Sequence, residues 1–138
     1  MLTRARGIGL ILAIAALAAA LAPAASQVPD PKKSLAREQL GLAQEALSHL
    51  DELQKQGRVR AYDHTFGVWE HRQVEAIRDA GGSRAEFIAA LEGHVKRLRD
   101  RQRLAEEAYR AGADRMDLLD AKYRALEAEI WLNQEKAR

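Results

Sequence analysis

The chain contains no cysteine. That absence excludes a disulfide-stapled domain, a thiolate metal site, a cysteine nucleophile and a diacylglyceryl anchor. Proline is scarce too, and the last one is Pro31, so no imide interrupts a helix beyond that point. From Ser34 onward the β-branched residues are only Thr65, four valines and three isoleucines. A chain so poor in strand formers and so rich in Ala, Leu, Glu, Arg and Gln is helical by propensity. Also missing are an HExxH motif, a His-x-x-x-His pair, a Gly-rich phosphate loop and a legible Ser-His-Asp order. At 138 residues the sequence has the length of one domain, not of a multidomain enzyme. It offers no catalytic residue, no cofactor site and no metal centre, so the expectation is a non-enzyme.

A surplus of charge is missing as well. Lys and Arg number 22 against 20 Asp and Glu. Arg4 and Arg6 account for the difference, because no acid precedes Asp30. They open a tripartite segment. Residues 7–21 form an uninterrupted apolar run, Pro23 breaks it, and Ala22-Pro23-Ala24 or Ala24-Ala25-Ser26 supplies a small-residue cleavage site. We therefore expect a signal peptide over 1–26, an extended leader over 27–33 and a helical domain over 34–138. The other reading is an uncleaved anchor, since residues 7–25 carry no charge and nearly reach spanning length. Either way the remainder is expected outside the cytoplasm, in the periplasm or cell envelope. The domain itself is net neutral and is not expected to span a membrane.

Glycines punctuate that domain. Gly57, Gly81-Gly82 and Gly112 divide it into four segments, each a natural stop for the helix before it. The first, about 34–56, carries Leu35, Leu42, Ala46, Leu50 and Leu53. The second, about 60–80, carries Tyr62, Phe66, Trp69, Gln73, Ile77 and Ala80, and its aromatic residues are expected in the core. The third opens on Ser83-Arg84-Ala85-Glu86, a capping box, and runs to residue 110. Its seam is Ile88, Leu91, Val95, Leu98, Gln102, Ala105 and Tyr109, in heptad steps. The fourth begins at Asp114, with Asp117 in its first turn, and repeats the spacing with Met116, Leu119, Tyr123, Leu126 and Ile130. A second stripe, Leu118, Ala121, Ala125, Ala128 and Leu132, lies opposite the first, with Trp131 beside it. The expectation is an all-α bundle of about four helices, built from antiparallel, coiled-coil-like hairpins. In it the large stripe of the fourth helix meets the third, and the alanine stripe meets the first two. An alternative sends the alanine stripe to a second copy or a partner helix.

Folding the third and fourth segments about Ala113 puts Glu127 opposite Arg99 and Glu129 opposite Arg97. Those acids turn the basic run at 96–103 into a solvated, partly paired face and not a nucleic-acid or lipid site. A weak repeat at an offset of 55 aligns residues 51–57 with 106–112 and Trp69 with Tyr123, pointing to two hairpins of one plan. Histidines are the remaining chemistry. His64 and His71 share a helix face with Glu75 one turn on, a set that a metal-responsive protein could use, but the spacing is weak and an ordinary surface role is expected. His49 and His94 stand singly and are expected at the surface. Gly81-Gly82-Ser83 reads as a turn and cap, not an anion cradle.

Tyr109-Arg110-Ala111-Gly112 followed by Asp117-Leu118-Leu119-Asp120-Ala121 resembles the hairpin tip of TolC-type outer-membrane efflux proteins. In that family a Tyr-x-x-Gly turn leads into a helix start, and the hairpin tip docks a periplasmic adaptor. The likeness covers some 30 residues and does not extend to the barrel, so it implies a free-standing hairpin without channel activity. A broader likeness carries Trp69-Glu70-His71-Arg72, the stretch from Ala90 to His94, and the stretch from Tyr123 to Ile130. These resemble a helical module common in uncharacterised planctomycete proteins, a resemblance that implies no activity. The resulting expectation is an exported structural or adaptor module working through protein contacts or self-association. The runner-up is a periplasmic metal-responsive or chaperone-like helical hairpin.

Overall fold

A computed structural model describes residues 30–138. The expected signal segment 1–26 and residues 27–29 of the leader lie outside the described residues. Within them the chain forms four helices: α1 (Pro31–Lys55), α2 (His64–Asp79), α3 (Arg84–Arg110) and α4 (Arg115–Ala137). Each start has a local cause. Asp30 accepts from the Lys32 amide at 3.0 Å, with Pro31 in the first helical position, so 31–33 form a helical turn, not the end of an extended leader. Asp63 accepts from Thr65 N at 2.9 Å and starts α2 later than the expected residue 60. The capping box of α3 closes in both directions: Ser83 Oγ accepts from Glu86 N at 3.2 Å, and Glu86 Oε2 accepts from Ser83 N at 2.6 Å. Asp114 caps α4 by accepting from Met116 N at 2.8 Å.

The stops are glycines with positive φ, +70° at Gly57, +80° at Gly81 and +98° at Gly112. After Gly57 the Arg58 amide donates back to Leu53 O, and after Gly112 the Ala113 amide donates back to Ala108 O, both at 2.9 Å. These are Schellman closures, and they fall at matching places in the two halves of the weak repeat.

The helices pair as the expected hairpins, α1 with α2 and α3 with α4. The two hairpins meet mainly where α2 crosses α3, with a smaller contact between α2 and α4. Among the described residues α1 packs on α2 alone. The central helix is therefore α2, not the fourth helix. In the α3–α4 hairpin, Arg99 meets Glu129 at 2.6 Å, Lys122 meets Glu106 at 3.7 Å and Lys136 meets Glu92 at 2.7 Å. Each pair is equidistant in sequence from Asp114. The hairpin thus turns one residue later than Ala113, and the expected Arg99–Glu127 and Arg97–Glu129 pairs do not form.

The seams also differ from expectation. Facing α3 and α2, α4 buries Leu118, Ala121, Ala125 and Ala128, while its larger stripe points out. The inner row of α3 is Phe87, Leu91, His94, Leu98, Arg101 and Ala105, which keeps heptad spacing but admits two polar residues. Tyr109 is exposed. On α1 the residues turned inward are Ala36, Ala43 and Leu50, with Leu35 and Leu42 in solvent. Of the aromatic row expected on the second helix, Phe66 is fully buried, while Tyr62 precedes α2 and packs at the edge of the Ala105–Leu118–Ala121 cluster. Trp69 is half-buried, with Arg72 4.6 Å from its ring.

Candidate functional site

Two features stand out from ordinary packing, one at the surface and one inside. The surface feature is the outer face of α4. Met116, Leu119, Tyr123, Leu126 and Ile130 are 65, 44, 66, 53 and 58% exposed. Their 3,4,3,4 spacing places them in one continuous row. Burying a side chain of this size is worth roughly 1.5–3 kcal/mol, and a protomer standing alone gains only part of that here. Single exposed apolar residues are common, but five in register form a patch of the kind that marks a contact surface. The lower row is shallowly concave, and Tyr123, Leu126, Glu127 and Ile130 line a depression of about 400 Å³.

Why the large residues point out follows from the inner face. Leu98 of α3 packs directly on Ala125 and Ala128 of α4. Ala105 packs on Leu118 and Ala121. On the α2 side, a Cβ added at Gly67 would stand 2.8 Å from Arg124 Cδ and 3.5 Å from Leu98 Cδ2. Small residues at the crossing let three helices approach closely, and side chains the size of Leu126 or Tyr123 would hold them apart.

The interior feature is a charged cluster between α2 and α3. Glu70 is 2% exposed and His94 is 1% exposed. Arg101 Nη2 donates to Glu70 Oε1 at 2.9 Å, and Arg97 Nε lies 3.4 Å from the same oxygen. Arg101 also donates to the Ala61 carbonyl and lays its guanidinium 3.8 Å from the centre of the Phe66 ring. The other carboxylate oxygen of Glu70 faces His94 Nδ1 at 3.9 Å, and neither atom has a hydrogen-bond partner among the described residues. Burial, then the Arg97 charge, then His71 push the His94 imidazole down to about 4, so it is neutral near pH 7. Beyond it, the His71 ring lies 6.1 Å from His94 and 4.9 Å from Trp131, which packs edge-on against Phe87 at 5.6 Å. The basic run is therefore only partly a solvated face. Arg97 and Arg101 turn inward to Glu70, Arg99 pairs across to Glu129, and Arg103 lies 3.8 Å from both Asp100 and Glu107.

This cluster was not expected from sequence, which left His94 at the surface and did not single out Glu70 or Arg101. The signal was present in the spacing. Glu70 sits one turn from both Phe66 and Val74, and His94 and Arg101 fall in heptad step with Phe87, Leu91 and Leu98. The expected seam shares Leu91, Leu98 and Ala105 with this row but takes Ile88, Val95 and Gln102 where the structure turns Phe87, His94 and Arg101 inward.

The histidine set of the metal-responsive runner-up reading is only partly assembled. His71 Nε2 stands 3.6 Å from Glu75 Oε1, but His64 lies two helical turns away, exposed and 3.5 Å from Asp63. Among the described residues no group of three or more His, Asp or Glu side chains is placed to hold a metal ion. A groove of about 470 Å³ runs between α1 and α2, lined by Leu42 and Trp69 but also by Arg72, Glu75, Arg78 and Asp79. It is open and mixed in character, with no convergent set of polar groups. No described helix is long and apolar enough to cross a membrane. The chain matches no known family model, no curated protein and no solved structure.

Proposed function

We propose that this chain is an exported helical structural or adaptor module that acts through protein–protein contacts and carries out no catalysis. The observation that carries the reading is the outer row of α4, five large apolar side chains in heptad register and open to water. A buried Ala-rich seam behind that row holds α4 in place, so the contact surface is rigid before it meets a partner. Export rests on the composition of residues 1–26, a basic start, an apolar run and a small-residue site. N-terminal sequencing of material recovered from the envelope tests that part, with residue 25 or 27 expected at the start and an intact Met1 overturning cleavage.

The contact surface is tested by placing a photocrosslinking side chain at Leu126 and, as a control, at Glu38, an exposed position on α1. Discrete adducts from position 126 and none from 38 are expected. Equal yields from both would remove the outer face of α4 from consideration. The same exposed row also favours a second reading, a chaperone-like hairpin that holds many unfolded clients. Adducts of one or two sizes support the module, whereas a smear of clients supports the chaperone.

A further inference from the structure

We infer that the occupant of the outer face of α4 is the same face of a second copy, aligned in parallel. The inference rests on reading that face as a protein-contact surface and adds the identity and direction of what covers it. Spacing assigns the positions. Met116, Tyr123 and Ile130 take the a sites of a heptad, and Leu119 and Leu126 take the d sites. Leucine at d with a β-branched residue at a is the combination that favours parallel two-stranded pairing, and Ile130 meets it.

The flanking charges choose the same direction. Arg115 and Lys122 occupy g sites, and Asp120 and Glu127 occupy e sites. In a parallel pair each g residue faces the e residue five positions on in the other copy. Arg115 then meets Asp120 of the second copy, and Lys122 meets Glu127 of the second copy, each twice by symmetry. In the antiparallel arrangement with full overlap, Asp120 faces Glu127 and Arg115 faces Lys136, like charge against like, and only Lys122 meets an opposite charge, Glu129, which already holds Arg99 at 2.6 Å. Arg115 and Glu127 have no ion-pair partner among the described residues. Asp120 already receives Arg124 at 2.8 Å, and Lys122 lies 3.7 Å from Glu106, so those two would extend existing contacts. A mature domain of zero net charge adds no long-range repulsion to the encounter. Five half-exposed side chains present on the order of 500 Å² per copy, so the pair buries on the order of 1,000 Å², the lower limit for a specific interface. The expected dimer is therefore weak and reversible.

The test uses the full chain in the form that export leaves it. Sedimentation equilibrium from about 1 μM to 1 mM should show a reversible monomer–dimer equilibrium, at affinities typical of small interfaces. Leu126→Ser should abolish the dimer, and Glu127→Lys should weaken it about tenfold by opposing Lys122. Because the chain lacks cysteine, direction can be read by oxidation. Tyr123→Cys alone should form a disulfide-linked dimer. A mixture of the Leu119→Cys and Ile130→Cys variants should form few mixed dimers. Efficient 119–130 linkage with none at 123 would overturn the parallel direction. A monomer throughout, or a dimer indifferent to Leu126→Ser, would overturn the second copy as occupant. In the monomer case, discrete adducts to another protein from position 126 would still uphold the contact-surface reading, so the two ideas fail separately.

Discussion

Ala125 and Leu126 stand side by side on α4, yet Ala125 is sealed against Leu98 while Leu126 is more than half exposed. Both belong to apolar rows of the same spacing, so hydrophobicity and period do not distinguish them. Volume does. The row of small residues lets α4 sink between α3 and α2, and the row of large ones remains on the outside with surface to offer. A helix with two apolar faces is thus sorted by packing distance first, and the larger face is left for a contact of its own.

The sharpest way to break this comparison is to strike the inner side where it is least replaceable. Glu70→Gln removes the charge that Arg97 and Arg101 share, leaving Arg101 mostly buried without its counterion. A loss of about 3–5 kcal/mol in urea unfolding is expected. A loss below 1 kcal/mol would show that the cluster does not hold α2 to α3. The same interior should respond to acid. His94 in the folded state holds its proton only below about 4, against 6.5 unfolded, so the unfolded chain binds more protons between those values. Stability from this group should be level above about pH 6.5 and fall by about 3 kcal/mol as the pH drops to about 4. His94→Gln should remove that part of the slope, and an unchanged slope would place its origin elsewhere.

Substitutions on α4 itself sharpen the contrast with smaller effects. Ala125→Leu overfills the inner seam and should cost about 1–3 kcal/mol, seen as a lower thermal midpoint. Leu126→Ser, one residue along, should change the stability of a dilute sample by no more than about 0.5 kcal/mol. Equal losses at the two positions would mean that α4 is buried on both sides.

Much of the architecture was legible in the sequence because its causes are local. The four helices, the glycine stops, the capping box at Ser83 and Glu86 and the antiparallel hairpins all follow from residues within a turn or two of one another. The start of α1 is less legible, because Asp30 and Pro31 fit an extended leader in composition while serving as the cap and first turn of the helix. What periodicity could not supply was rotation. On α4 two apolar rows competed, and the choice required knowing how closely Gly67 and the alanines let the helices approach. On α3 the true inner row includes His94 and Arg101, which an apolar criterion rejects, and only Glu70 on another helix makes their burial tolerable. His64 and His71 stay two turns apart, and His71 instead meets His94 of α3 and Trp131 of α4.

The central claim, small face in and large face out, is tested most directly by thiol reactivity at the neighbouring positions. With no native cysteine, Ala125→Cys and Leu126→Cys each carry a single reporter. In dilute solution the thiol at position 126 should label at nearly the rate of an unstructured peptide. The thiol at 125 should be protected by orders of magnitude, because it reacts only when α4 opens. Raising the concentration should slow labelling at 126 alone as the second copy covers it. Rapid labelling at 125 with protection at 126 in dilute solution would contradict the account.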